Sequence, residues 1–193
     1  MCSRRNQPAL VLLSGGLDSA ACVLACKQNG LDVSGLFIDY GHRAAAPESA
    51  AAHRIAEHYN VPLLIAHFKG LSTSDPGFVQ GRNGFLLQAA LMLFPHDNGL
   101  IAIGIHAGTT YRDCTPGFVD AIQNIFDIYS SGSIRVFAPF LTWHKQDIYN
   151  FSAEYSVPVA LTYSCESGST VPCGDCLSCK DMESIRARSK PIS

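Results

Sequence analysis

Ala9-Leu10-Val11-Leu12-Leu13-Ser14-Gly15-Gly16-Leu17-Asp18-Ser19 is the stretch that decides the fold. An uninterrupted apolar pentad reads as a strand buried on both faces, and such strands belong to parallel sheets. The Ser-Gly-Gly turn that ends it leads to Asp18 and Ser19, good cap and first-turn residues, and then to Ala20, Val23, Leu24 and Cys26 at helical spacing until Gly30 stops the run. The same alternation repeats downstream. Strands are predicted at Val33–Ile38, Leu63–Ala66, Leu100–Gly104 and Ile134–Phe137. Helices are predicted at Pro47–Tyr59, Gly84–Phe94, Gly117–Ser130 and Trp143–Tyr155, the last capped by Thr142. Lys69–Gly84, rich in Ser, Asp, Pro and Gly, is expected to be a loop long enough to serve function. The pattern predicts an α/β fold, a doubly wound open parallel sheet of Rossmann-like type with its ligand site at the carboxyl ends of the strands.

Composition agrees with one domain spanning 1–193. Of 193 residues, 47% are hydrophobic and 16% charged, and 14 basic against 16 acidic side chains leave a net charge of −2. Disorder, collagen and coiled-coil readings are excluded by the low charge and the lack of a short period. The thin spread of Lys and Arg disfavours a nucleic-acid partner held through many phosphate contacts. No stretch approaches the roughly 18 apolar residues that span a bilayer, so no membrane association and a soluble, cytoplasmic protein are expected.

The loop Leu13-Ser14-Gly15-Gly16-Leu17-Asp18-Ser19 carries the first site. Two glycines between a buried strand and a helix let backbone N–H groups approach a phosphate, and the helix N-terminus adds partial positive charge. The spacing is neither that of a Walker loop nor that of the dinucleotide fingerprint. The second site is Cys165-x7-Cys173-x2-Cys176-x2-Cys179, within a segment from 160 to 190. Four thiolates at this spacing can close around one tetrahedral zinc ion, a structural role since no ligand position stays open. Disulfides and an iron–sulfur cluster are the rival uses of the same cysteines.

Ser-Gly-Gly-x-Asp-Ser after an apolar strand resembles the motif of the PP-loop (N-type) ATP pyrophosphatases, whose HUP-type fold suits the strand order expected here. With the four-cysteine segment, the chain resembles the 7-cyano-7-deazaguanine synthase (QueC) family. Ile38-Asp39-Tyr40-Gly41-His42-Arg43, Gly81-Arg82-Asn83, Asp113-Cys114, Pro139 and Lys145 are similar to that family's intermediate landmarks. The resemblance implies an ATP-dependent, AMP-forming ligase that converts 7-carboxy-7-deazaguanine and ammonia to the amide and then to the nitrile in queuosine biosynthesis, using Mg2+ and a structural Zn2+. It implies ATP binding by residues 13–19 with Asp39 and Tyr40, catalytic roles for Asp18, Lys145, Arg82 and Asp113, and substrate contacts from Arg82, Asn83 and Asp113. A pure cap role for Asp18 and surface roles for Asp39 and Arg82 stay open. His42 and His106, at predicted strand ends, are read first as structural or exposed with a ligand contact left open, Cys114 as a small buried thiol, and Cys22 and Cys26 as core.

The chain departs from the family at Gln80, at Lys180-Asp181, and in the loop Thr110-Tyr111-Arg112-Asp113-Cys114-Thr115, where the family carries Gly-Tyr-Pro-Asp-Cys-Arg. A second reading is therefore a QueC-like enzyme that passes the activated deazapurine to a protein amino group in antiviral defence. A nucleotide sensor without turnover is the third. The resemblance also implies a homodimer.

Overall fold

The computed structural model describes residues 6–70 and 79–188. Five strands, β1 (Pro8–Leu12), β2 (Asp32–Asp39), β3 (Leu63–His67), β4 (Gly99–Ala102) and β5 (Ile134–Phe137), form one parallel sheet in the order β3-β2-β1-β4-β5. The chain winds outward from β1 to β3, crosses back, and then winds the other way through β4 and β5. Between β1 and β4 the winding reverses, and there the carboxyl ends of adjacent strands part to leave a crevice.

Helices α1 (Leu17–Gln28), α2 (Ala45–Tyr59), α3 (Arg82–Leu93), α4 (Pro116–Ser130), α5 (Lys145–Glu154) and α6 (Leu177–Arg188) cover both faces. Val11, Leu13 and Phe37 point to one face and pack with Val23, Ile55 and Ile148 of α1, α2 and α5. Leu10, Leu12 and Ile101 point to the other, against Leu87 of α3 and Ile122 and Phe126 of α4. Successive residues of a strand face opposite ways, so β1 must be apolar throughout to serve both cores. Cys22 and Cys26 lie fully buried in the first core, the role expected of them.

Boundaries differ from expectation where local capping decides them. Asp18 does not cap α1: the cap is Gly16, whose lack of a side chain leaves the first N–H groups uncapped by any side chain, and the Asp18 carboxylate turns to another helix. Thr142 does not cap α5 either. The helix starts at Lys145 after His144, whose N–H donates to the Asp147 carboxylate at 2.8 Å. Helix α2 starts two residues before Pro47, and α3 starts at Arg82, so the expected loop Lys69–Gly84 ends early; its residues 71–78 lie outside the described ones. Thr115, one of the departures from the family pattern, caps α4 through its hydroxyl, which accepts from the Phe118 N–H at 3.3 Å. The helix α6, which carries Cys179, and a short 3-10 turn at Val159–Leu161 follow α5 without having been foreseen. No helix among the described residues is long and apolar enough to cross a membrane.

Candidate active site

A cavity of about 850 Å³ opens at the carboxyl ends of β1, β2 and β4, within the size range of small-molecule sites. Its floor is the loop after β1. Gly15 adopts φ +85°, and a Cβ there would stand 2.4 Å from the Glu48 carbonyl and 3.0 Å from the Ala51 side chain, so α2 closes on the loop only because residue 15 is glycine. Ser19 Oγ donates to the Gly16 carbonyl at 2.9 Å and accepts from Ser14 Oγ at 3.3 Å, bracing the turn from within. Leu13 and Leu17 are buried and anchor the loop at both ends, while Ser14, Asp18 and Ser19 face the cavity. Uncapped N–H groups at the start of α1 give this loop the chemistry to accept an anion.

Lys145, the first residue of α5, reaches into the same space and places Nζ 2.5 Å from both Asp18 oxygens. A cation at a helix N-terminus opposes the helix dipole, so its position is not explained by the stability of α5. Asp18 offsets that cost and holds the ammonium at the mouth of the phosphate loop. His106 Nε2 lies 3.8 Å from the same carboxylate. Gly104 makes the approach of β4 to α1 feasible: a Cβ there would meet the Asp18 carbonyl oxygen at 2.8 Å.

On the β2 side, Tyr40 and His42 line the cavity with rings stacked 4.1 Å apart, and His42 Nε2 pairs with Glu48 Oε2 at 2.7 Å. Arg82, at the start of α3, stands beside Tyr40. Burial pushes the Tyr40 phenol up, and the charge and hydrogen bond of Arg82 partly offset the rise. Asn83 is buried and donates to the Asp113 carbonyl at 3.4 Å, tying α3 to the loop after β4.

Not every expected residue meets at the cavity. Asp39 accepts from the Gly41 N–H at 2.9 Å and contacts His67 Nδ1 at 3.3 Å, and neither it nor Asp113 is part of the cavity wall. Cys114 does reach the wall, half-buried, but burial pushes its thiol up, the reverse of what an activated nucleophile requires. His42 and His106, for which a ligand contact was left open, both line the wall. Glu166, His144 and Gly104 also line it and were not foreseen. For Glu166 the available signal was its adjacency to Cys165; for Gly104, a glycine ending a buried strand opposite the phosphate loop.

The four cysteines converge. Their sulfurs all lie within 4.8 Å of one another. The Cys173 N–H donates to Cys165 Sγ at 3.3 Å and the Cys176 N–H to Cys173 Sγ at 3.4 Å, bonds that stabilise thiolates as metal ligands need. Burial raises the Cys165 thiol, but donors from Ser167, Cys173 and Ser169 outweigh it and bring the pKa down to about 5. Burial and the neighbouring thiols lift Cys179 to about 12. The donor set fits a four-coordinate metal.

Comparison with known proteins joins the two sites. The family model described as "Queuosine biosynthesis protein QueC" matches residues 8–76 and 69–187, covering both the phosphate loop and all four cysteines. The chain belongs to the QueC family. Among QueC relatives, the 7-cyano-7-deazaguanine synthases of Synechococcus sp. (strain CC9311) and Prochlorococcus marinus (strain MIT 9303) are each 32% identical, over 96% and 91% of this chain and 96% and 90% of theirs. Among solved structures, the U34-tRNA thiolase NcsA from Methanococcus maripaludis with its [4Fe-4S] cluster has a TM-score of 0.54 at 15% identity, covering 93% of this chain and 64% of that one. An NH3-dependent NAD synthetase from Campylobacter jejuni has a TM-score of 0.50 at 17% identity, covering 84% of this chain and 72% of that one. Both likenesses establish the fold alone.

Proposed function

We propose that this QueC-family chain is an ATP-dependent ligase that converts 7-carboxy-7-deazaguanine and ammonia first to the amide and then to 7-cyano-7-deazaguanine. The carrying observation is the Asp18–Lys145 pair at the mouth of an uncapped helix N-terminus, facing the same cavity as Arg82 and Tyr40. The name shared by the relatives supports the product.

In this reading the substrate carboxylate attacks the α-phosphorus of ATP and pyrophosphate leaves. Ammonia then displaces AMP, giving the amide. In a second round the amide oxygen attacks another α-phosphorus, and loss of AMP with that oxygen and of the remaining N–H protons leaves the nitrile. Little covalent work falls to the protein. What it supplies is charge stabilisation for the departing pyrophosphate, from the backbone N–H groups of residues 15–19 and the Lys145 ammonium, and positioning of the carboxylate by the planar guanidinium of Arg82. Asp18, whose carboxylate faces the cavity beside Lys145, would also contribute to holding Mg2+, which would neutralise phosphate charge when bound. Tyr40 and His42 offer a stacking surface for a purine ring.

The four cysteines hold the structural metal, and Zn2+ is the ion proposed for them. A homodimer is proposed for the assembly. Exchange of labelled pyrophosphate into ATP tests the adenylation step. It is expected only when 7-carboxy-7-deazaguanine is present; exchange that ignores this acid, or no exchange with it, contradicts the reading.

A further inference from the structure

The cysteine segment does more than close on itself. Ser164, Glu166, Leu177, Ser178 and Asp181 form part of the cavity wall, so one side of the site is built by the segment that carries the four cysteines. The Glu166 carboxylate accepts from both the N–H and the hydroxyl of Ser178, at 3.3 and 2.7 Å, and fixes the start of α6 in that wall.

Tyr163 links the wall to the phosphate loop. Its backbone N–H donates to the Gly15 carbonyl at 2.9 Å, and its own carbonyl oxygen lies 3.7 Å from where a Cβ on Gly16 would stand. Its hydroxyl donates to the Ser169 carbonyl at 2.7 Å, inside the loop that joins Cys165 to Cys173. Two further contacts hold this region to the same layer. Gly168, at φ +74°, lies so close to the Arg43 carbonyl that a Cβ would stand 2.3 Å from it, and Arg54 Nη2 donates to the Leu161 carbonyl at 3.2 Å.

We infer that Tyr163 is a positioning residue that couples metal occupancy of the four cysteines to the geometry of the phosphate loop. A bound metal fixes the Cys165–Cys173 loop, the loop fixes Ser169, the Tyr163 hydroxyl reads that position, and the Tyr163 backbone holds Gly15. Such coupling is reciprocal: metal tightens nucleotide binding by the factor by which nucleotide tightens metal binding. The inference rests on the assignment of ATP to this loop, but one of its readouts does not.

The test uses the full chain, metal-loaded and chelated, and the variant Tyr163→Phe, which loses the hydroxyl and keeps the backbone donor. Amide hydrogen exchange at Tyr163 is expected to accelerate about tenfold on chelation, while the Leu13 amide, bonded to the Leu36 carbonyl inside the sheet, keeps its protection. Binding of a non-hydrolysable ATP analogue with Mg2+ is expected to weaken roughly 5- to 20-fold on chelation, and by a similar factor in metal-loaded Tyr163→Phe. Unchanged exchange at Tyr163, exchange that rises only together with Leu13, or a Tyr163→Phe protein that binds the analogue as tightly as the parent overturns the inference. A chain that binds no analogue in any state refutes the ATP assignment instead, and the exchange measurement still decides the coupling.

Discussion

Lys145 Nζ stands 2.5 Å from both carboxylate oxygens of Asp18, joining the first residue of α5 to the first turn of α1 across 127 positions of sequence. The pair is only partly shielded, each side chain about one-quarter exposed toward the cavity. It is a poor device for stability, since partly exposed ion pairs contribute little. In the proposed adenylation it serves catalysis better: the ammonium would stand where negative charge develops as pyrophosphate leaves, already oriented by Asp18.

Removing either partner is expected to cost activity and spare the fold. Asp18→Ala and Lys145→Ala should each lower kcat/KM for AMP formation by at least about 100-fold, with a melting temperature close to the parent's. Activity at the parent's level in both variants contradicts the assignment.

Gly104→Ala tests packing at the same point. An added Cβ 2.8 Å from the Asp18 carbonyl oxygen and 3.3 Å from the Ser19 N must displace the first turn of α1. Steady-state kinetics should show kcat/KM reduced by about tenfold or more, since small displacements of a reacting geometry are costly. Unaltered kinetics would mean that the loop tolerates a shift.

How far the sequence led can be judged from these residues. The apolar pentad before Ser14, a run that only a doubly buried strand needs, was enough for the parallel sheet, and the spacing of Cys165, Cys173, Cys176 and Cys179 was enough for their convergence. Sequence order could not reveal that Gly104 touches Asp18 or that Tyr163 touches Gly15, because both contacts arise from the crossover that sets β4 beside β1 and from the return of the chain after α5. Helix ends escaped for a local reason. His144 with Asp147 competes with Thr142 for the start of α5, and both segments carry acceptable capping chemistry. Asp39 was expected at the ligand because it ends β2, but Gly41 offers its carboxylate a nearer donor.

Arg82→Ala should raise KM for the carboxylate substrate by about tenfold or more while leaving the melting temperature nearly unchanged. The same variant removes the charge and the hydrogen bond that oppose burial at Tyr40. The Tyr40 phenol should therefore titrate at higher pH than in the parent, which ultraviolet difference spectra with Tyr40→Phe as reference can follow. A downward shift contradicts the placement of Arg82.

Metal binding should release protons. In the metal-free chain Cys179 is protonated at neutral pH, with a pKa near 12 set by burial and the neighbouring sulfurs, whereas Cys165 near 5 is already a thiolate. Coordination requires both as thiolates, so the apparent affinity must rise with pH through the neutral range, by up to about tenfold per pH unit for each proton displaced. Competition titrations with a chelating dye at pH 6.5, 7.5 and 8.5 check this, and a flat profile contradicts it. Cys176→Ser should lose the metal and melt at lower temperature; an unchanged metal content refutes the four-cysteine site.

The most direct test of the account is to incubate the purified chain with ATP, Mg2+, ammonia and 7-carboxy-7-deazaguanine and to follow AMP and the purine by mass spectrometry. The account predicts AMP together with a product that has lost both carboxyl oxygens and gained one nitrogen as a nitrile. AMP formed without free nitrile would contradict the proposed acceptor and point to another amine, such as a protein amino group. Absence of AMP would contradict the adenylating site itself.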